Sequence, residues 1–129
     1  MDKNILESNF LKQLKAFLKD LISVFPDDRD IKIISSSLTI AMQDDPKHDI
    51  IKGFHASLVS SEDLILSRKD EFFYQDPYVF TANGTVHAKH QHQLFSKLNF
   101  YWDNLNNENR LIVWDYMELL YKLAAEFRK

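Results

Sequence analysis

Three histidines in the second half of the chain are the residues most suited to binding a metal ion. They form an H-x-x-H-x-H pattern at His87, His90 and His92. Three imidazoles can hold Zn²⁺ and leave one coordination position open. On a helix, however, His90 and His92 point about 200° apart, so the rings would converge only on irregular backbone. Because polar residues are interleaved with the histidines, we favour a solvated helix start and predict no cofactor.

The acidic residues occur where helices are expected to begin, which is not the pattern of acid–base catalysis. That chemistry needs two carboxyl groups in unlike environments, whereas acids in a first turn interact favourably with the helix dipole. The acids form three groups: Asp27, Asp28 and Asp30, then Asp44 and Asp45, then Glu62, Asp63, Asp70 and Glu71. With no cysteine and only two glycines, a thiolate nucleophile and a glycine-rich phosphate loop are excluded. We therefore predict that the protein is not an enzyme.

Three lysines at helical spacing form the best candidate surface for nucleic acid. Lys12, Lys15 and Lys19 share one face of the first predicted helix. Non-specific phosphate binding requires clustered positive charge of this kind, but lysines on an amphipathic helix are also commonly just solvated. The net charge of −3, from 16 basic and 19 acidic residues, argues against nucleic acid as the main partner. Nucleic-acid association is therefore the alternative hypothesis for function.

The composition predicts one helical domain over residues 1–129. Apolar residues make up 45% of the chain and aromatic residues 13%, which is enough for a core at this length. The two glycines and three prolines allow few turns, which favours long helices over many short strands. No apolar run reaches the roughly 18–20 residues of a membrane span, and the N-terminus lacks a secretory pattern. We expect an intracellular protein with no membrane partner.

Apolar residues at helical spacing predict the first two helices. The first spans residues 9–25, with Ser8 as its N-cap. The second spans residues 28–44, and its apolar face excludes Ile33 and Ile40. Because this second segment is rich in β-branched residues, a buried strand is an alternative there, although we favour a helix.

The middle of the chain predicts shorter elements. Asp45 and Pro46 are expected to be the N-cap and first residue of a third helix. Gly53 within that helix either allows a close helix contact or is a tolerated weakness. One or two short helices are expected within residues 60–75. An Asn-Gly pair favours a turn, so residues 78–87 form either a short hairpin or a bare loop.

Two further helices complete the predicted bundle. One spans residues 89–104 and has an apolar arc of about 120°. The last spans residues 107–127 after an asparagine cap, and its apolar arc covers roughly 240°. An arc this wide fits a helix in the centre of a bundle, or one that a partner partly buries. The predicted fold class is all-α, an irregular bundle of five to six helices.

One flank of the last helix is the main candidate for partner binding. It carries Trp114, Met117, Tyr121 and Ala125. Aromatic and methionine side chains are enriched in the cores of protein interfaces. The same residues would form intramolecular core if the other helices cover them, so both interpretations stay open. Under the first, the protein self-associates or docks on another protein.

The C-terminal third has a recognisable sequence pattern. An Asn-rich break is followed there by Trp114, Tyr116, Met117 and Leu120, within the stretch FSKLNFYWDNLNNENRLIVWDYMELLYKLA. This pattern resembles the C-terminal region of small uncharacterised proteins from large double-stranded DNA viruses of eukaryotes. The resemblance implies an intracellular viral protein, in the host cytoplasm or the virion, and it brings no active site with it. Together with the missing catalytic groups, it favours a non-catalytic protein–protein interaction or structural module.

Overall fold

Helices make up most of the described backbone, and short turns join them. The computed structural model describes residues 2–76 and 88–129, with side chains described at 2–76 and 90–129. The α-helices are α1 (Lys3–Val24), α2 (Arg29–Met42), α3 (Asp49–Leu58), α4 (Glu62–Leu66), α5 (Ala88–Tyr101) and α6 (Asn107–Arg128). Short 3₁₀ turns lie at Val59–Ser61, Asp70–Tyr74 and Trp102–Asn104. The described ranges contain no strand, so the all-α prediction is confirmed. The hairpin or loop predicted at residues 78–87 lies outside the described residues.

Side-chain caps set where the long helices begin. The Asp2 carboxylate accepts a hydrogen bond from the Asn4 N–H at 2.7 Å, so α1 begins at Lys3 rather than after Ser8 as predicted. Asp28 accepts from two N–H groups in the first turn of α2, and Asn106 caps α6 as expected. These carboxylate and amide oxygens satisfy backbone N–H groups that have no partner within the helix.

The start of α3 differs from the prediction. The Asp45 carboxylate accepts from the N–H groups of Asp49 and Ile50 at 2.8 and 3.0 Å. Pro46 therefore lies in the turn before α3 and is not its first residue. His48 in this turn has a positive φ of 60°, which lets the carboxylate of Asp45 reach forward over the turn to cap the helix.

Helix α6 lies at the centre of the fold, because it packs against α1, α3 and α4. Its inward side joins an aromatic cluster that fills the core. Within the cluster, the rings of Phe73 and Trp102 stack with centroids 3.8 Å apart. The Trp114 ring meets both of them edge to face, at 4.9 and 5.9 Å. Aromatic pairs in these arrangements contribute beyond the area that they bury.

The partner-binding flank predicted on α6 is therefore wrong as an exposed surface. Trp114 is 4% exposed, Met117 and Tyr121 are buried as well, and Ala125 is partly buried against the core. The reason is that Phe72 and Phe73 of the 3₁₀ turn pack against Trp114. Tyr121 is covered by α3 and α4, where its ring stacks on His55 and its hydroxyl donates to Glu62. Sequence periodicity on α6 alone could not reveal these neighbours. The intramolecular interpretation is the one that the structure supports.

Replacing Trp114 with alanine should destabilise the fold strongly. Truncating a buried tryptophan leaves a cavity and removes its ring contacts, at a cost of about 3–5 kcal/mol in the free energy of unfolding. Denaturant unfolding followed by circular dichroism measures this cost. The matched control is Leu111→Ala on the exposed side of the same helix, for which we expect a change of at most about 0.5 kcal/mol. Equal effects of the two substitutions would contradict the burial of Trp114.

Candidate functional site

The structure describes two of the three histidines that were considered as metal ligands. His87 lies outside the described residues, while His90 and His92 are on α5, where helix geometry separates their rings as expected. Among the described residues, no group of three histidine, aspartate or glutamate side chains is placed to hold a metal ion.

The three lysines of the alternative hypothesis are on the solvent side of α1. Lys12, Lys15 and Lys19 are all exposed. None of them forms an ion pair with any residue that the structure describes. Their positive charge is therefore available to a ligand outside the protein.

The large apolar side chains with the highest exposed fractions belong to two neighbouring helices, α2 and α5. Phe100 on α5 is 70% exposed, and Ile40 and Ile33 on α2 are 67% and 61% exposed. No other large apolar side chain of the described residues is as exposed as these three. We call the surface formed by Ile33, Ile40 and Phe100 the α2–α5 face.

The buried side of each helix fixes its rotation, so these three side chains, on the other side, point to solvent. On α2, the core side carries Ile31, Ile34 and Leu38. On α5, Gln91 is buried and accepts a hydrogen bond from the Ser57 hydroxyl at 2.9 Å. Phe100 is nine residues further on, which places it about 180° around the helix from Gln91. The rotation of each helix is thus fixed by its core side.

A groove separates the two helices on this surface. Its volume is about 440 Å³, and both Ile33 and Phe100 line it. The rest of the groove is lined by Ile34 and by five polar residues: Asp30, His92, Gln93, Ser96 and Lys97. A groove lined by both apolar and polar side chains can receive one or two apolar side chains of another molecule.

A network around Asp28 holds α2 and α5 together at the end of the groove. The Asp28 carboxylate accepts hydrogen bonds from the Tyr101 hydroxyl and from Lys97 Nζ, in addition to capping α2. The Lys97 ammonium also lies 3.0 Å from Asp30. Next to this network, the rings of Phe25 and Tyr101 stack with centroids 3.9 Å apart.

The same network changes the acidity of Asp28. Burial disfavours the charged carboxylate, but the hydrogen bonds from Tyr101, Lys97 and the Ile31 N–H outweigh it and lower the pKa of Asp28 to about 2. The carboxylate is therefore ionised at any ordinary pH and serves as a fixed anchor for Lys97. A group this acidic is a poor general base, so the network is better suited to positioning two helices than to catalysis.

Sequence reasoning identifies part of this surface but does not bring its three residues together. Ile33 and Ile40 were recognised as lying off the apolar face of the second helix, whereas Phe100 was not singled out. The available signal was that three large apolar residues fall outside the core stripes of their own helices. That signal becomes informative only when α2 and α5 are known to be neighbours.

The described residues also bear on membrane insertion. None of the helices in these ranges combines the length and the apolar character needed to cross a bilayer.

The Asp28 network predicts a pH-dependent contribution to stability. Because the folded-state pKa lies below the ordinary value of 3.8, the unfolded chain binds the proton more tightly. The stabilisation is complete above about pH 4 and is lost as the pH falls through about 2. Asp28→Asn should therefore lower the free energy of unfolding at pH 7, and its difference from wild type should shrink as the pH falls towards 2.

Denaturant unfolding at a series of pH values measures this difference. Asp27→Asn is the matched control, because Asp27 is exposed and has no hydrogen bond or ion pair with another described residue. A difference between wild type and Asp28→Asn that stays constant from pH 6 to pH 2 would contradict the role assigned to this carboxylate.

Comparison with known proteins adds no relative from which a role could be transferred. No family model, no curated protein and no solved structure matches this chain.

Proposed function

We propose that this protein is a non-catalytic protein–protein interaction module that docks through the α2–α5 face. The observation that carries the proposal is that Ile33 and Phe100, two of the three most exposed large apolar side chains of the described residues, line one groove. Ile40 is exposed two turns further along α2 on the side of Ile33. Exposed apolar side chains grouped with polar residues are typical of protein-binding surfaces. A viral, intracellular setting enters this proposal only through the resemblance of the C-terminal third.

The mode of docking follows from the shape of the surface. Phe100 lines the groove. Its ring makes a T-shaped contact with the ring of Tyr101, and the two ring centroids are 5.0 Å apart. Aromatic side chains with few rotatable bonds lose little entropy when they become buried, and they are frequent among the residues that dominate binding energy. A partner that buries Phe100 while inserting an apolar side chain beside Ile33 would use both features.

A photo-reactive side chain at position 100 tests the proposal directly. Phe100 is replaced with p-benzoylphenylalanine, which keeps an aromatic ring at this position, and the protein is irradiated in the cells that produce it. We expect discrete covalent adducts with a protein, because the reactive group lies in the buried centre of the contact. Electrophoresis and mass spectrometry of the adducts provide the measurement.

The control places the same group at position 59. Val59 is an apolar residue exposed on a different part of the surface, in the 3₁₀ turn after α3. We expect it to give no discrete adduct. If position 100 gives no adduct, or if both positions give the same adducts, the α2–α5 face is not the docking surface.

The alternative function is association with nucleic acid through the lysines of α1. Its specific support is that Lys12, Lys15 and Lys19 are exposed and unpaired among the described residues. Three phosphate contacts would give a slope of about −3 in a plot of log binding constant against log salt concentration for duplex DNA.

A salt titration decides this alternative. If the lysines bind phosphate, replacing Lys12, Lys15 and Lys19 together with glutamine should flatten the slope towards zero. Fluorescence anisotropy with a labelled duplex measures the binding constants. Absence of binding by the wild type at low salt would remove the alternative.

A further inference from the structure

We infer that residues 67–76 form a strap that opens as a unit and uncovers Trp114 while the long helices stay folded. The segment runs from the end of α4 through the 3₁₀ turn Asp70–Tyr74, and that turn packs beside α4 and α5. We call this segment the strap. Two buried rings attach it to the core, whereas ion pairs and hydrogen bonds near the surface hold its length. The inference is independent of the docking proposed for the α2–α5 face.

The strap enters the core through two neighbouring side chains. Phe72 and Phe73 are 0% and 1% exposed, and the centroids of their rings lie 6.1 and 4.9 Å from that of Trp114. The residues on either side of the pair, Glu71 and Tyr74, are exposed. Two aromatic anchors between exposed polar neighbours are the arrangement of a docked peptide. The strap is thus held to α6 in the way that a ligand is held.

Ion pairs hold the strap where it leaves α4. The Arg68 guanidinium lies 2.8 Å from a carboxylate oxygen of Asp115 and 2.8 Å from one of Glu118. The side chains of Arg68 and Asp115 are 34% and 68% exposed, so water and salt screen their attraction and the pair contributes little. Arg68 also has a positive φ of 51°, which costs conformational free energy in a residue other than glycine. This end of the strap is therefore both exposed and strained.

Exposed contacts also hold the middle of the strap and the residue after its aromatic anchors. The Asp70 carboxylate lies 3.7 Å from the Arg110 guanidinium. The Tyr74 hydroxyl donates a hydrogen bond to the Asp103 carboxylate. Asp70, Tyr74 and Asp103 are all exposed. Because water competes for exposed polar groups, these contacts hold the strap weakly compared with its two buried rings.

The backbone of the strap has little regular hydrogen bonding. The Phe72 N–H donates to the Lys69 carbonyl at 3.0 Å, within a 3₁₀ turn whose hydrogen-bond geometry is poorer than that of an α-helix. At the far end, the Gln75 carbonyl accepts from the Asn99 amide at 2.9 Å, which is a more sheltered contact. Segments held by few backbone bonds and by exposed polar contacts open at a lower free energy than the helices around them.

The long helices keep other neighbours when the strap opens. Helix α6 packs against α1 and α3, and α5 packs against α2 and α3. The Trp114 ring keeps its edge-to-face contact with Trp102, at 5.9 Å between centroids. Opening therefore uncovers the rings of Trp102 and Trp114 without separating the helices that carry them.

Native-state hydrogen exchange of single amides, measured by NMR, tests the inference. The Phe72 N–H reports opening of the strap, because its acceptor lies within the strap. The Leu120 N–H, in the buried part of α6, reports global unfolding. After correction for intrinsic rates, we expect Phe72 to exchange at least about 100-fold faster than Leu120. Low denaturant concentrations should change the Phe72 rate little, since a local opening exposes little surface.

Two substitutions separate opening of the strap from global unfolding. Arg68→Gln removes ion pairs that both processes break, so it should speed exchange at Phe72 and at Leu120 by about threefold each. Asp2→Ala removes the cap of α1, which stays formed when only the strap opens. It should speed exchange at Leu120 by about fivefold and leave Phe72 unchanged. Circular dichroism checks that both variants keep their helices.

Either of two results would overturn the inference. One is equal protection of Phe72 and Leu120 with the same dependence on denaturant, which would show that the strap opens only when the whole chain unfolds. The other is an Asp2→Ala variant in which both amides exchange faster by the same factor, since opening at Phe72 would then include unfolding of α1.

Discussion

The rotation of α6 about its own axis is the constraint on which the rest of the structure depends. The stacked and edge-to-face rings of Phe73, Trp102 and Trp114 fix that rotation, because turning α6 would pull Trp114 out of the cluster. Since interiors are packed to crystal-like density, such a cluster tolerates one arrangement only. With Trp114 inward, Leu111 is necessarily outward, so the exposed apolar side of α6 follows from the aromatic core.

The second constraint acts where α1, α2 and α5 meet. Asp28 caps α2 and at the same time binds Tyr101 and Lys97 on α5. One carboxylate thus sets both where α2 begins and how α5 lies beside it. The Ser57–Gln91 hydrogen bond holds α5 from its opposite side, and a buried polar pair of this kind specifies the register of two elements. The groove at Ile33 and Phe100 exists because these two attachments hold the helices in place without filling the space between their outer sides.

Sequence periodicity predicted the helices well and the candidate site poorly, for one physical reason. The spacing of apolar residues reports which side of a helix is buried, and this was enough to locate α1, α2, α5 and α6. It does not report what buries that side, and so the flank with Trp114 and Tyr121 could be read as a partner surface. The start of α3 was missed for a related reason, since the Asp45 cap depends on the left-handed backbone at His48. Neighbour relations between helices, which create the α2–α5 face, are absent from any single helical pattern.

The residue types on the α2–α5 face are not explained by folding, and this is the main reason for attributing them to docking. Phe100, Ile33 and Ile40 contribute little to the core, and aromatic or β-branched residues are weaker helix formers than lysine, glutamate or glutamine. Polar residues at these three positions would serve the helices better and reduce the exposed apolar surface. Departures of this kind from local consistency are expected at functional sites, where a gain elsewhere offsets the cost. Burial of Phe100 and Ile33 by a partner would supply that gain.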